Sequence, residues 1–535
     1  MSENNFTVRG ASVIDGSDTP ATKADVVVVD GVISEVGKVI KGNERGKIID
    51  GSDLTLAPGF IDMHAHSDLA VISDPLHLAK VTQGVTLEVV GQDGLSYVPT
   101  DDATLQVIRE QLFGWNGDPA NIDWKFRSVA DYLDLVDKGA AVNVAFLLPH
   151  GNVRMLACGY EPGDATPDQL NKQLQLVEEA MRQGAVGMSA GLTYTPAMFA
   201  SDQEIAKLCE VVAKFGGYYA PHHRNYGAKF LDAVDACIEI SMASTCPVHL
   251  THCHMSHPDN HDRVDELFDR FSKAERAGIE VTLDTYPYLA GMTYLHALLP
   301  SWCQAGSKQD LINRIKNPVE RLKIIDNLMV TGSDGNQGGV VNWPSIVIAG
   351  VTKPANEKYV GKKLIEMAAQ EGKSPVDFYL DLIVDEDFRV NCILFSGYEP
   401  NVRKIMTHPK HMVGTDGILI GAKPHPRAYG TFARYLGVYA REEKVITMEG
   451  AIARMTSRPA KRLGLKDRGL VKVGYQADLV LFDAATVLDR ATYDDPKVPA
   501  QGFEHVWISG IHTLKGGNRT DYTPGRSIRS SGKSK

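Results

Sequence analysis

The sequence predicts an α/β protein built on a (β/α)8 barrel, the TIM-barrel class. A small β-sandwich made from both chain ends accompanies the barrel, and an insertion separates barrel strands 7 and 8. Three observations predict this. Through the middle of the chain, apolar β-rich runs alternate eight times with amphipathic helical text. Text with only strand periodicity flanks that middle on both sides. The seventh run ends at Tyr288 and the eighth begins at His411, a gap far too long for one helix. The length of 535 residues, at roughly 150 per domain, suits two to four structural units. Apolar residues at 43% and charged residues at 23% are globular proportions, which exclude a disordered or fibrous chain.

The elements follow in order. Residues 5–57 hold FTVRGASVID, ADVVVVDGVISEVGKV with its Asp30-Gly31 turn, and KIIDGSDLTLAP, so residues 1–57 are read as the first part of the sandwich. The barrel is assigned to residues 58–467. Its strands are LAPGFIDMHAH (57–66), VTLEVVGQD (85–93), NVAFLLPHG (143–151), AVGMSAGL (185–192), GYYAPHH (217–223), PVHLTHC (247–253), EVTLDTYPY (280–288) and HMVGTDG (411–417). Within the insertion, about 290–410, GKKLIEMAAQEG and SPVDFYLDLIVDED carry helical periodicity, so it is expected to be folded. RGLVKVGYQADLVLFDAA and FEHVWISGIHTL complete the sandwich over 468–522. Neither β piece, at about 50 residues, holds a core alone, so the two should pack together. The Ser- and Lys-rich tail, 523–535, is expected to be disordered.

Composition also bounds the partners. Fifty-six Lys and Arg against 66 Asp and Glu leave a net charge of −10, which excludes nucleic acid and points to a small molecule. MSENNFTVRG lacks a signal-peptide layout, and no uninterrupted apolar run of about 18 residues implies a membrane. The seven cysteines form no CxxC pair, and their odd number argues for reduced, packing thiols. The expectation is a cytoplasmic protein, compatible with a homo-oligomer.

Chemistry is expected at the C-terminal ends of the barrel strands, where such folds assemble their sites. His64 and His66 alternate along the first strand and project from one face. The second strand ends in Asp93, the fifth in His222 and His223, the sixth in His252 and the eighth in Asp416. One HxH pair arises readily by chance. Five strand ends each delivering a ligand-type residue to one mouth define a site for Zn²⁺ or a similar ion. His223 and His254 each neighbour a better candidate and are read as supporting or core residues. His249, at odd spacing from His252, is read as structural.

PGFIDMHAHSD, followed far downstream by strand-end histidines and GTDG, resembles the amidohydrolase superfamily. Within it the chain is most similar to the N-acyl-D-amino-acid deacylase (D-aminoacylase) family. VVGQDGLS, HGNVR, GAVGMSAGLTYTP, YYAPHHR, PVHLTHCH, DTYPYLAG, KPHPRAYGTFARYLG and GYQADLVLFDAATVLDRATYDDP carry that similarity almost end to end. The resemblance implies that His64 and His66 hold one metal position, that His222 and His252 hold a second, and that Asp416 is the general base. It implies one or two Zn²⁺ per chain. Family members usually end the second strand GNCG, with Cys bridging the metals, whereas this chain has Gly91-Gln92-Asp93-Gly94. A carboxylate can also bridge, as a harder ligand. Tyr194, in the family's GLxY segment, is the implied oxyanion donor. Relatives hold a substrate carboxylate with a Lys, a Tyr, a Ser and an Arg; those positions here read His254, Tyr286, Met292 and Arg427. Arg224, closing YYAPHHR, joins the substrate-binding candidates.

The expected reaction is hydrolysis of a linear amide C–N bond, in an N-acyl-D-amino acid or a related amide, to acid and amine. Two alternatives stand beside it. A cyclic-amide hydrolase resembling dihydropyrimidinase or dihydroorotase would bridge its metals with a carboxylated Lys on the fourth strand, but AVGMSAGL has none. A non-catalytic barrel scaffold would be expected to have lost ligands that this chain keeps.

Overall fold

The computed structural model describes residues 4–38, 42 and 44–532. Eight parallel strands form the barrel: Phe60–Asp62, Val85–Val90, Asn143–Pro149, Gly187–Gly191, Tyr218–His222, Val248–Leu250, Val281–Thr285 and His411–Val413. Each lies inside one of the runs expected from sequence. The first and eighth strands close the ring just beyond their ends: the Met63 N–H donates to the Val413 carbonyl (3.1 Å) and the Asp416 N–H to the His64 carbonyl (2.8 Å). Near-continuous apolar text such as NVAFLL is explained by burial on both faces, against the barrel interior and against the helices.

Both chain ends build one nine-stranded sheet. Thr55–Pro58 from the N-terminal part pairs antiparallel with Leu479–Phe482 from the C-terminal part. Two strands separate Phe6 from Trp507 in sheet order, a span of about 14 Å if the sheet were flat. Their rings nevertheless stack at 4.8 Å, so the sheet folds over its own core of Val8, Val26, Val28, Leu479 and Leu481.

The insertion is a folded subdomain. Ala290–Tyr294, Ile346–Gly350 and Asn391–Phe395 form an antiparallel sheet, and helices Leu364–Gln370 and Pro375–Asp385 pack on it around a separate apolar core. Ser374 caps the second helix by accepting the Asp377 N–H, which explains why helical periodicity begins there.

The expected disorder of the tail is corrected over residues 523–532; residues 533–535 lie outside the described set. Gly525 exchanges backbone hydrogen bonds with Ala140, the Ile528 N–H donates to Val144 (2.7 Å), and the Ser530 N–H donates to Gly184 (3.0 Å). Arg529 pairs with Asp134 (2.6 Å) and Asp137 (2.9 Å). Backbone pairing at the N-terminal ends of strands three and four outweighs the solvating composition, so the segment braces the barrel floor. All seven cysteines are free thiols. Among the described residues, no helix is long and apolar enough to cross a membrane.

Candidate metal centre and active site

The C-terminal ends of the barrel strands meet around two overlapping sets of ligand-type side chains. His64, His66, Asp93 and Asp416 form one, and Asp93, His222 and His252 the other; within each, donor atoms lie within 4.8 Å of one another. Asp93 belongs to both. Its Oδ1 stands 3.6 Å from His64 Nε2 and 3.5 Å from His252 Nε2, while its Oδ2 stands 3.4 Å from His66 Nε2 and 3.5 Å from His222 Nδ1. Asp416 Oδ1 lies 3.1 Å from His66 Nε2.

Two devices bring these residues together. His64 and His66 follow the first strand at alternate positions, and His222 is the last residue of the fifth. Asp93 (φ 53°), His252 (φ 31°) and Asp416 (φ 48°) instead occupy left-handed backbone directly after their strands. That conformation is unusual for non-glycine residues and gathers at functional sites. Gly94 gives the turn after Asp93 its room, because a Cβ there would stand 2.3 Å from the Gly191 amide nitrogen.

Burial would by itself push the Asp93 and Asp416 carboxyls up. For Asp93, the imidazoles of His64, His252 and His222 outweigh it; for Asp416, the Arg427 charge and the His66 hydrogen bond do. Both are held well below the usual carboxylate range, so both are anions at neutral pH. Burial likewise opposes protonation of His64 and His66, yet the neighbouring carboxylates, Asp93 and Asp284 for His64 and Asp416 and Asp93 for His66, raise both above ordinary imidazole. The cluster therefore attracts positive charge. His64 Nδ1 and Nε2 and Asp93 Oδ1 are buried without a hydrogen-bond partner. Orphaned polar atoms are costly in an interior, and a cation between His64 Nε2 and Asp93 Oδ1 would satisfy both. Four imidazoles with two carboxylates are the donor set Zn²⁺ takes, and the residues present fit such an ion.

A cavity of about 750 Å³ opens over this centre, lined in part by Trp115, Tyr194, Tyr286, Met292 and Leu298. Tyr194 lies against His222, ring centroids 4.9 Å apart, with its hydroxyl 3.2 Å from Thr293 Oγ1. Burial pushes its phenol pKa well up, so it remains a donor. Tyr286 lies under the Arg427 guanidinium at 4.5 Å. Arg427 is fully buried; it holds Asp416 Oδ2 at 2.8 Å and donates to the Met292 carbonyl (3.3 Å). His254 also lines the cavity, but its two ring nitrogens face the His252 and Tyr286 carbonyls at 3.0 and 2.8 Å.

Other residues fall elsewhere. Arg224, expected to bind substrate, is engaged by Asp202 (2.8 Å) and by the Met198 carbonyl (3.1 Å) and is not part of the cavity wall; its planar donors brace the loop after the fourth strand. His223 stacks on Tyr226 at 3.8 Å, turned from the centre. His249 pairs with Asp284 at 2.9 Å. Asp284 was missed by the sequence reading, although an acid inside the apolar run EVTLDTYPY was the available signal. It is completely buried and reaches three histidines.

A closed (β/α)8 barrel with a His4Asp2 cluster at the catalytic end defines a metal-dependent hydrolase. The amidohydrolase family model matches residues 47–512, and the chain belongs to that family. It is similar to the D-aminoacylase of Alcaligenes xylosoxydans xylosoxydans, 33% identical over 94% of this chain and 92% of the relative. An N-acyl-D-glutamate deacylase from the same organism is 32% identical over 98% and 96%. The crystal structure of the Bordetella bronchiseptica N-acyl-D-glutamate deacylase, complexed with zinc and a phosphonate mimic of the tetrahedral intermediate, matches with a TM-score of 0.82. The two chains are 30% identical, with 98% of this chain and 99% of that one covered.

Proposed function

We propose that this amidohydrolase removes the acyl group from an N-acyl-D-amino acid or a closely related linear amide. The observation that carries the reading is the convergence of His64, His66, Asp93, His222, His252 and Asp416 beneath one cavity, in a chain similar over nearly its whole length to deacylases of that kind. His64, His66 and Asp416 would hold one Zn²⁺, His222 and His252 a second, with Asp93 between them. When bound, the ion supplies an activated water at neutral pH and polarises the scissile carbonyl.

The protein's own groups supply the rest. Asp416, ionised and steadied by Arg427, accepts the water proton and returns it to the leaving nitrogen, which is too basic to depart as an anion. Tyr194 donates its O–H to the oxyanion that develops on the carbonyl oxygen. Tyr286 forms the wall beside Asp416, backed by the buried Arg427, with His254 in the place where relatives carry a lysine. The unpaired thiols suit a reducing, cytoplasmic setting.

A panel of N-acetyl D- and L-amino acids, amino amides and hydantoins, assayed for amine release, tests the reading. Turnover of the D-configured acyl-amino acids, abolished by chelator and restored by Zn²⁺, is expected. Hydantoin opening without deacylation would replace the reading with the cyclic-amide alternative, and folded, metal-free protein inert on every substrate would favour the scaffold.

A further inference from the structure

We propose that Asp284, held in turn by His249, is a positioning residue that sets the tautomer of His64 and the backbone of His252. The proposal rests on the metal reading above and goes beyond it, because Asp284 is neither a candidate ligand nor part of the cavity wall.

Asp284 lies in the seventh strand with no exposure to solvent, so a carboxylate there must be fully engaged. Its Oδ1 accepts the His252 backbone N–H at 2.9 Å. His252 is the residue in left-handed backbone (φ 31°), and it is neither glycine nor Asn nor Asp. The hydrogen bond therefore holds a conformation uncommon for any residue but glycine, and that conformation turns the ring towards Asp93. Asp284 Oδ2 accepts His249 Nε2–H at 2.9 Å, and His249 Nδ1 pairs with Thr282 Oγ1 at 2.8 Å. That chain fixes the carboxylate plane.

The same Oδ2 faces His64 Nδ1 at 3.6 Å, and that nitrogen has no other partner. On the other side of the ring, Nε2 faces Asp93 at 3.6 Å and Asp416 at 3.7 Å. With a cation at the cluster, Nε2 must offer its lone pair to it, and Asp284, an acceptor only, takes the proton left on Nδ1 and so fixes that tautomer. Gly414 keeps the space open: a Cβ there would stand 2.7 Å from His64 Cβ and 2.9 Å from Asp284 Oδ1. One buried acid thus couples strands one, six and seven to the orientation of two ligands.

Asp284→Asn separates positioning from packing. The amide is nearly isosteric, and its oxygen still accepts the His252 N–H. Its NH2 presents a donor to His64 Nδ1 and favours the opposite tautomer, with the proton on Nε2. Stripped full-length protein is titrated with Zn²⁺ against a chromophoric chelator, alongside thermal unfolding of the stripped form. Asp284→Asn should lose roughly 10–100-fold in affinity at the tighter-perturbed site, the range for outer-sphere partners, with an unfolding temperature close to that of the unaltered chain. Asp284→Ala should weaken every bound ion. His249→Phe, which frees Oδ2 without touching a ligand, should give a smaller loss and carries the test if the Asp284 variants do not fold. Unaltered protein that binds no Zn²⁺ would overturn the metal reading itself. Unaltered protein that binds Zn²⁺ while the variants bind it equally well would overturn this proposal alone.

Discussion

Asp93→Asn isolates the residue that the two ligand sets share. The substitution keeps volume and one oxygen but removes a negative charge standing 3.4–3.6 Å from four imidazole nitrogens. A cation among those nitrogens lies at least as close to the carboxylate. At about 3.5 Å and an effective dielectric constant near 20, each unit of positive charge is then worth about 5 kcal/mol. The amide also escapes the desolvation that burial imposes on an anion, which takes back part of that sum. The expected net loss is between about 10² and 10³ in Zn²⁺ affinity, since 1.4 kcal/mol is tenfold. The assay is chelator competition on stripped protein, with bound zinc counted by elemental analysis. Asp93→Cys, which restores an anionic though softer ligand, should recover binding. Asp93→Asn with unchanged stoichiometry and affinity would refute the bridging role and with it the shared centre.

Four further outcomes are expected. Asp416→Asn should lower turnover by roughly 10²–10⁴ while the protein still binds zinc through its histidines, measured as kcat beside metal content. Tyr194→Phe should lower kcat by about 10²–10³ with little change in KM, as removal of one oxyanion donor does; an unchanged kcat would strike Tyr194 from the mechanism. Arg427→Met leaves Asp416 a buried anion without its partner and should destabilise the fold by about 3–5 kcal/mol in denaturant unfolding. Burial holds His296, His408 and His505 down to about 4 in the folded state against 6.5 for free imidazole. The unfolded chain then binds protons more tightly, so stability is complete above about pH 6.5 and falls as pH drops towards 4. For fully buried His296 the difference is worth roughly 3 kcal/mol at most, and the unfolding temperature should decline between pH 7 and 4.5.

The eight barrel strands were legible because parallel strands buried on both faces must be written in continuous apolar text, and the histidines and aspartates ending five of the runs mark the catalytic end. His64 and His66 follow from strand alternation alone. Asp284 was not legible as a site residue, since its role lies in what its two oxygens face, and His252, His249 and His64 sit 32, 35 and 220 residues away in sequence. Arg224 shows the converse. Its residue type suited a carboxylate, but nothing local revealed that Asp202 and nearby carbonyls would take up its donors. The tail misled for a similar reason: its composition describes a solvated strand, and only the open backbone groups at the barrel floor make pairing favourable.

The geometry also explains why a motif with glycine beside the acid recurs at two strand ends. A strand directs successive side chains to opposite faces, so a ligand beyond the strand end reaches the axis only if the backbone turns. GQDG and GTDG place an aspartate, among the residues most tolerant of left-handed backbone, next to glycines that accept the crowding. His252 has the same turn without a flanking glycine or an Asx side chain, and an acceptor on the neighbouring strand holds its N–H instead. Strain at three of the six candidate ligands, of order 1–3 kcal/mol each, can persist because the strands beneath are locked by ring closure and by the tail at the opposite end. On that account the catalytic end borrows its conformations from the stability of the floor, and the two ends should respond differently to substitution: changes at Gly525 or Ile528 should lower the unfolding temperature without changing zinc affinity, whereas the near-isosteric Asp284→Asn should do the reverse.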